Sequence, residues 1–296
     1  MKLVRFGPAG AERPGLIDPD GRIRDLSQYL PDLAGDQLDP ARLADLARLN
    51  LDALPAVAPE ARLGPCVGHP GKIVCVGLNY RSLAELTQAP LPEEPVVFLK
   101  APSALCGACD PMELPATSRQ VDWEVELAVI IGRRGRNIRT ADAMTHVAGF
   151  AVFNDISERI WQFGTAGYAL RGISGSHNGG QWDKGKNHDG FAPLGPWLVT
   201  TDEVAEPGNL DLWLDVDGER MQASNTRDML FSIPELVEDI SRYMRLDPGD
   251  IIATGTPPGS GFLLRPEARY LCAGQQLRAG ISGLGEQCRE VVASRD

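Results

Sequence analysis

The sequence predicts an α+β, β-rich fold: a large strand-dominated unit over residues 70–296, preceded by a small N-terminal α/β unit over residues 1–65. Three observations predict it. Beyond residue 70, apolar segments that alternate or run continuously between Gly, Pro, Asn and Asp outnumber segments with a helical repeat. A Pro- and Gly-bearing stretch, Pro55 to Pro70, reads as a linker. The 296 residues and 43% hydrophobic content are enough for one large core and a small appendage.

In the N-terminal unit, MKLVRF reads as a strand. GLIDPDGRIRDL reads as a hairpin around Pro19-Asp20-Gly21, and Pro40 to Asn50 as a short helix. Lys72–Leu78 and Val96–Lys100 are short apolar strands. Leu210–Val216 alternates with its leucines inward and ends at Asp217-Gly218, a strong hairpin signal. Ser232-Ile-Pro-Glu235 is a capping box with proline in the first turn. It opens a helix with Ile233, Leu236, Val237, Ile240 and Met244 on one side. Asp247-Pro-Gly-Asp250 is a turn before the strand Ile251–Thr254, and Gly255-Thr-Pro-Pro-Gly-Ser-Gly261 is a loop whose backbone amides can approach an anion.

The chemistry concentrates in VDWEVELAVIIG, from Val121 to Gly132. Its period of two puts Trp123, Val125, Leu127, Val129 and Ile131 on one face, and Glu124, Glu126, Ala128 and Ile130 on the other. The run Val129–Ile131 suits a strand covered on both faces. The next strand, Val147 to Asp155, ends in a carboxylate that a short hairpin-like connection brings beside the two glutamates. Three carboxylates in an apolar sheet cannot all stay ionised without a cation or raised pKa values. An all-oxygen set suits Mg²⁺ or Mn²⁺, with Ca²⁺ also compatible, better than Zn²⁺.

A formal net charge of −11 argues against nucleic acid or an anionic membrane as partner. No apolar run is long enough to span a bilayer, and the N-terminus has no apolar signal core, so a cytoplasmic location is expected. Six cysteines in a chain this long do not make a disulfide framework. Cys106-Gly-Ala-Cys109 has no second pair to complete a zinc site. The four histidines are scattered, without metal-ligand spacing.

Six blocks resemble the fumarylacetoacetate hydrolase family in its order: KIVCVGLNY (72–80), VDWEVELAVIIGR (121–133), NDISER (154–159), GKNHDGFAPLGPWLVT (185–200), QASNTRDMLFSI (222–233) and LDPGDIIATGTPPGSG (246–261). The similarity is closest to the 2,4-diketo-3-deoxy-sugar-acid hydrolase and ureidoglycolate-lyase-like subgroup. It implies a mixed β-sandwich roll, a homodimer, and one Mg²⁺ or Mn²⁺ per site held by Glu124, Glu126 and Asp155. It further implies that Arg159, Gln162, Lys186 and Thr256 act on the substrate, with Tyr80, Lys100 and Gly255 contacting it. The substrate class is a small 2-oxo or 1,3-dicarbonyl carboxylic acid, processed by C–C hydrolysis or lysis through a metal-bound enolate.

Two departures qualify this. Family members carry GLNYxxHxxE, whose His and Glu activate the attacking water. Here those positions are Leu83 and Leu86, and Glu85 is one residue out of register. Two leucines three apart are expected to share an apolar lid face. Secondly, Phe163–Asn178 is an apparent insertion, expected to be a flexible lid; its His177, or Glu85 by a one-residue shift, could replace the missing pair. The sequence therefore also allows decarboxylation, tautomerisation, isomerisation or cyclisation, and, from another class, a silent binding homologue.

Overall fold

The computed structural model describes residues 1–88, 90–163 and 181–294. From the N-terminus, β1 (Lys2–Phe6), β2 (Arg13–Ile17) and β3 (Ile23–Asp25) form an antiparallel meander, followed by α1 (Pro40–Leu46). Asp18 closes the β2–β3 turn by accepting the Asp20 and Arg22 backbone N–H groups at 3.0 and 2.9 Å. Then come β4 (Ile73–Gly77), α2 (Arg81–Thr87), β5 (Val96–Lys100), β6 (Leu105–Gly107), β7 (Met112–Glu113) and β8 (Val121–Asp122). The central pair is β9 (Val125–Ile131) and β10 (Val147–Asn154). After it lie β11 (Ser157–Glu158), α3 (Arg159–Phe163), α4 (Trp182–Lys186), β12 (Ala192–Leu194) and β13 (Leu198–Thr200). The C-terminal part holds β14 (Asp211–Val216), β15 (Glu219–Asn225), α5 (Ile233–Tyr243), β16 (Ile251–Ala253), β17 (Gln276–Ile281) and β18 (Gly285–Val292).

The main sheet runs β3-β2-β1-β13-β10-β9-β16-β4-β5, with β12 pairing with β10 and β6 beside it. A second sheet runs β15-β14-β17-β18-β7, and β8 pairs with β11 alone. Parallel β16–β4 and antiparallel β9–β10 make the main sheet mixed. The fold is β-rich α+β, as expected. β1 pairs with β13 through Lys2↔Val199 and Leu3↔Leu198, so the sheet continues across the Pro55–Pro70 stretch. Leu3, Leu16 and Leu26 share one core cluster with Ala128 and Ile130. Among the described residues no helix is long and apolar enough to cross a membrane.

β9 is buried throughout and lies between two cores. Trp123, Val125, Leu127, Val129 and Ile131 pack with Leu212, Leu236 and Leu277 of the second sheet and α5, while Ala128 and Ile130 pack on the other side. Each large aliphatic side chain buried this way contributes roughly 1.5–3 kcal/mol, which makes β9 a rigid support for anything mounted on it. The expected strand from Val121 is broken at Trp123-Glu124. Side chains take the backbone there: the Trp123 N–H donates to Asp122 Oδ1 at 2.8 Å, Glu124 N–H to Asn154 Oδ1 at 2.9 Å, and Val125 N–H to Gln222 Oε1 at 3.0 Å.

The β9–β10 connection is not the short hairpin expected. It runs from Gly132 to His146 and includes a 3₁₀ turn, Thr140–His146. The register nevertheless pairs Phe153 with Glu126 and Asn154 with Val125. Asp217 (φ 52°) and Gly218 (φ 81°) form the β14–β15 turn, and Ser232 with Glu235 forms the capping box of α5. On β18, Gln287 and Arg289 are buried, which blurs the apolar period of that strand in the sequence.

Candidate functional site

The carboxylates of Glu124, Glu126 and Asp155 converge, with one oxygen of each lying within 4.8 Å of the others. All three residues are buried, at 7%, 2% and 0% exposure. Period two along β9 puts the two glutamates on one face. Asp155 follows the end of β10, where its N–H donates to the Glu124 carbonyl at 2.8 Å and holds it opposite.

Buried cations offset part of this charge. Lys186 Nζ donates to Glu124 Oε2 at 2.7 Å, Asp155 Oδ2 at 2.5 Å and Ser157 Oγ at 2.9 Å. Lys100 Nζ donates to Asp155 Oδ1 at 2.8 Å and to the Ile156 carbonyl at 3.0 Å. Arg159 bridges Asp122 (Nε to Oδ2, 2.9 Å), Glu124 (Nη2 to Oε1, 2.6 Å) and Gln162 (Nη1 to Oε1, 2.8 Å). Burial opposes ionisation of Asp155, but Lys100 and Lys186 outweigh it and hold the carboxyl below its ordinary value. Burial also opposes the Lys186 ammonium, yet Asp155 and Glu124 push its pKa up, so it stays charged.

Glu126 differs. Its one hydrogen bond among the described residues comes from the Gly255 backbone N–H at 2.8 Å. Burial, then Asp155 and Glu124, push its pKa well above the ordinary value. Gly255 adopts φ +100°, and a Cβ there would lie 2.9 Å from the Val76 carbonyl, so glycine is needed to aim this N–H. A buried carboxylate cluster in which one member lacks a cation fits a divalent ion with oxygen ligands. Glu124, Glu126 and Asp155 are the residues that would hold it.

The cluster opens into a cavity. Of the residues expected at the site, Glu124, Glu126, Asp155, Arg159, Gln162, Lys186 and Thr256 line it. Lys100 and Gly255 do not line it; they brace Asp155 and Glu126 instead. Tyr80 is fully buried, does not line the cavity, and its hydroxyl has no hydrogen-bond partner. His177 and residues 164–178 of the expected lid lie outside the described residues. Leu83 lines the cavity from α2, but Leu86 is 57% exposed, and Thr87 stands on the cavity side in its place. Glu85 is also exposed. Trp182 and Phe163 form part of the wall, and Trp161 does not.

Sequence reasoning passed over Asp122, which shares the period of two with Glu124 and Glu126. It is fully buried and accepts Arg159, the Gly261 N–H at 2.7 Å and the Phe262 N–H at 3.2 Å. It thereby ties the Gly/Pro loop to the arginine that grips Glu124.

The family model for the fumarylacetoacetate (FAA) hydrolase C-terminal region matches residues 72–292. A relative named "Putative hydrolase" from Burkholderia multivorans (strain ATCC 17616 / 249) is 51% identical over 295 residues, covering 100% of both chains. The structure of a "probable 2-hydroxyhepta-2,4-diene-1,7-dioate isomerase" from Mycobacterium abscessus superposes with TM-score 0.81 at 31% identity, covering 100% of both chains. Maleylpyruvate hydrolase from Sphingobium sp. SYK-6, in complex with manganese(II) ion and pyruvate, superposes with TM-score 0.80 at 30% identity, again over 100% of both chains.

Proposed function

The chain belongs to the fumarylacetoacetate hydrolase family, and from that premise we propose that it is a divalent-metal-dependent enzyme acting on a 2-oxo or 1,3-dicarbonyl acid. The observation that carries the proposal is the buried Glu124–Glu126–Asp155 cluster, facing a cavity with Lys186 and Arg159 at its edge. The relative solved with manganese(II) and pyruvate supports both the ion and the substrate class. When bound, the ion supplies Lewis acidity towards an oxygen of the acid and offsets the carboxylates.

The chain's own groups do the rest. Lys186, hydrogen-bonded to Glu124 and Asp155 at the cavity edge, is placed to stabilise developing negative charge on an enolate oxygen. Arg159, held by Asp122, Glu124 and Gln162, keeps a fixed positive charge at the cavity wall. Thr256 donates to the Val125 carbonyl at 3.0 Å and accepts Gln222 Nε2 at 2.9 Å, which fixes the loop that carries it. Assembly as a homodimer is part of the same proposal.

A C–C hydrolase or lyase is the first reading. A second has its own support: Leu83 occupies the cavity wall where the family places its water-activating histidine, and no histidine lines the cavity among the described residues. Tautomerisation, isomerisation or decarboxylation need the enolate without a positioned water. General-base catalysis is worth about 10²–10⁴-fold, so enolate chemistry on oxaloacetate should outpace acylpyruvate cleavage. The deciding test of the shared premise is exchange of the pyruvate methyl protons with D₂O, followed by NMR. Mn²⁺-dependent exchange that a chelator abolishes is expected; exchange no faster than with Mn²⁺ alone overturns the proposal.

A further inference from the structure

Resting on that reading of the site, we infer that Ser260 is a specificity-determining residue whose hydroxyl receives a neutral oxygen carried on the tail of the 2-oxo acid. Ser260 lines the cavity and is 1% exposed, yet its Oγ has no hydrogen-bond partner. Buried polar atoms are nearly always paired, and each exception calls for a physical cause. Among the described residues, two other hydroxyls line the cavity, and both are engaged within the protein. Thr256 Oγ1 donates to the Val125 carbonyl and accepts Gln222 Nε2, and Thr87 Oγ1 donates to the Leu83 carbonyl at 2.8 Å. The other buried side-chain atoms without a partner belong to Tyr80, Asn154, Trp197 and Gln287, none of which lines the cavity. The exception at Ser260 therefore lies where a ligand can satisfy it.

The backbone on both sides of Ser260 is fixed. The Gly259 carbonyl accepts Trp123 Nε1 at 3.0 Å, and the Gly261 N–H donates to Asp122 Oδ1 at 2.7 Å. Gly259 adopts φ +108°, and a Cβ there would lie 2.0 Å from the Met221 carbonyl, so the loop packs too closely for any other residue. The Ser260 carbonyl accepts the Leu263 N–H at 3.0 Å, but its side chain does not cap the 3₁₀ turn Gly261–Leu263 that it precedes. The hydroxyl also bonds to none of the carboxylates and cations of the cluster, so it is not engaged at the reacting end. A cavity with a few fixed polar groups uses them to orient its ligand and to set specificity. A serine hydroxyl both donates and accepts, so it can pair with a hydroxyl or a carbonyl oxygen. An all-hydrocarbon tail leaves it unpaired.

The test is calorimetric binding of pyruvate, 2-oxopentanoate and its 4-hydroxy and 5-hydroxy derivatives to the Mn²⁺-loaded wild type and Ser260→Ala. A hydroxyl probe serves because it can take either role towards serine. In the wild type, at least one hydroxy acid should bind about fivefold or more tighter than 2-oxopentanoate. That preference should vanish in Ser260→Ala, where the ligand hydroxyl is left unpaired, while 2-oxopentanoate binds as before. The thermal midpoint of the ion-free variant should match or exceed that of the wild type, because the substitution removes no hydrogen bond within the protein. Three results overturn the assignment of Ser260 while the reading of the site stands: no hydroxyl preference in the wild type, a preference that survives in the variant, or a lowered midpoint. An equal loss of affinity for all four acids counts as a surviving preference, since a merely structural change would produce it. If no 2-oxo acid binds the wild type with Mn²⁺ present, the reading of the site is overturned as well.

Discussion

Replacing Lys100 with methionine isolates the charge that supports the carboxylate cluster from outside the cavity. Lys100 and Asp155 are at most 1% exposed and 2.8 Å apart, so solvent screens neither. Methionine keeps the length of the aliphatic stem, which limits any cavity contribution. Removing one partner of a buried ion pair costs about 3–5 kcal/mol, because the other charge is left desolvated. Lys186 still contacts Asp155, which places the expected loss at the lower end, about 3 kcal/mol. The pH dependence adds a second readout. The folded pKa of Asp155 lies below its ordinary 3.8, so its contribution is fully present above that value and is lost as pH falls through the folded pKa. The difference between wild type and Lys100→Met should therefore be full at neutral pH and shrink below about pH 4. Equilibrium urea unfolding followed by tryptophan fluorescence reads both. A loss under about 1 kcal/mol at pH 7, or a gap that does not change with acid, refutes the reasoning.

Tyr80→Phe removes a buried hydroxyl without a partner; stability measured by thermal unfolding should be unchanged or rise by about 1 kcal/mol, with substrate affinity retained. Gly255→Ala forces a Cβ against the Val76 carbonyl at φ +100°. It should cost about 1–3 kcal/mol and weaken Mn²⁺ binding, because the N–H that orients Glu126 moves. Glu126 has a raised pKa, so the ion-free protein loses stability as pH rises above 4.5 towards the folded value, and Mn²⁺ should stabilise it more as pH increases. By the same sign, Mn²⁺ binding at a pH between 4.5 and the folded value should release up to one proton, measurable by calorimetry in buffers of different ionisation enthalpy.

Much of the site was legible because a strand's period of two is a strong geometric rule. Glu124 and Glu126 had to share a face, and the apolar run around them marked a strand covered on both sides. Asp122 obeys the same rule, but nothing in the spacing sets it apart from an ordinary strand-end carboxylate. Its role depends on the backbone break at Trp123-Glu124, where side chains replace the ladder, and no periodicity reveals that. The helix rule misplaced Leu86: α2 has only seven residues, Arg81–Thr87, and its cavity side is set by Leu83 and Thr87, four apart. Lys100 lies at the end of a strand whose pattern was read correctly, but only the tertiary fold shows that it braces Asp155. The burial of Tyr80 is likewise a matter of tertiary packing that its motif position does not reveal. Strand β18 is hidden because tertiary hydrogen bonds satisfy the buried Gln287 and Arg289, so polar residues stand at inward positions and mask its alternation; β17 does alternate, with Leu277, Ala279 and Ile281 inward.

The claim that Glu124, Glu126 and Asp155 form a divalent-ion site is tested most directly by Mn²⁺ titration of the wild type and of Glu126→Gln. Glutamine keeps the side-chain shape and can still accept the Gly255 N–H, so the fold should survive, as circular dichroism would show. The account predicts a single site in the wild type and an affinity at least about a hundredfold weaker in the variant. Equal Mn²⁺ affinity in the two folded proteins would contradict it.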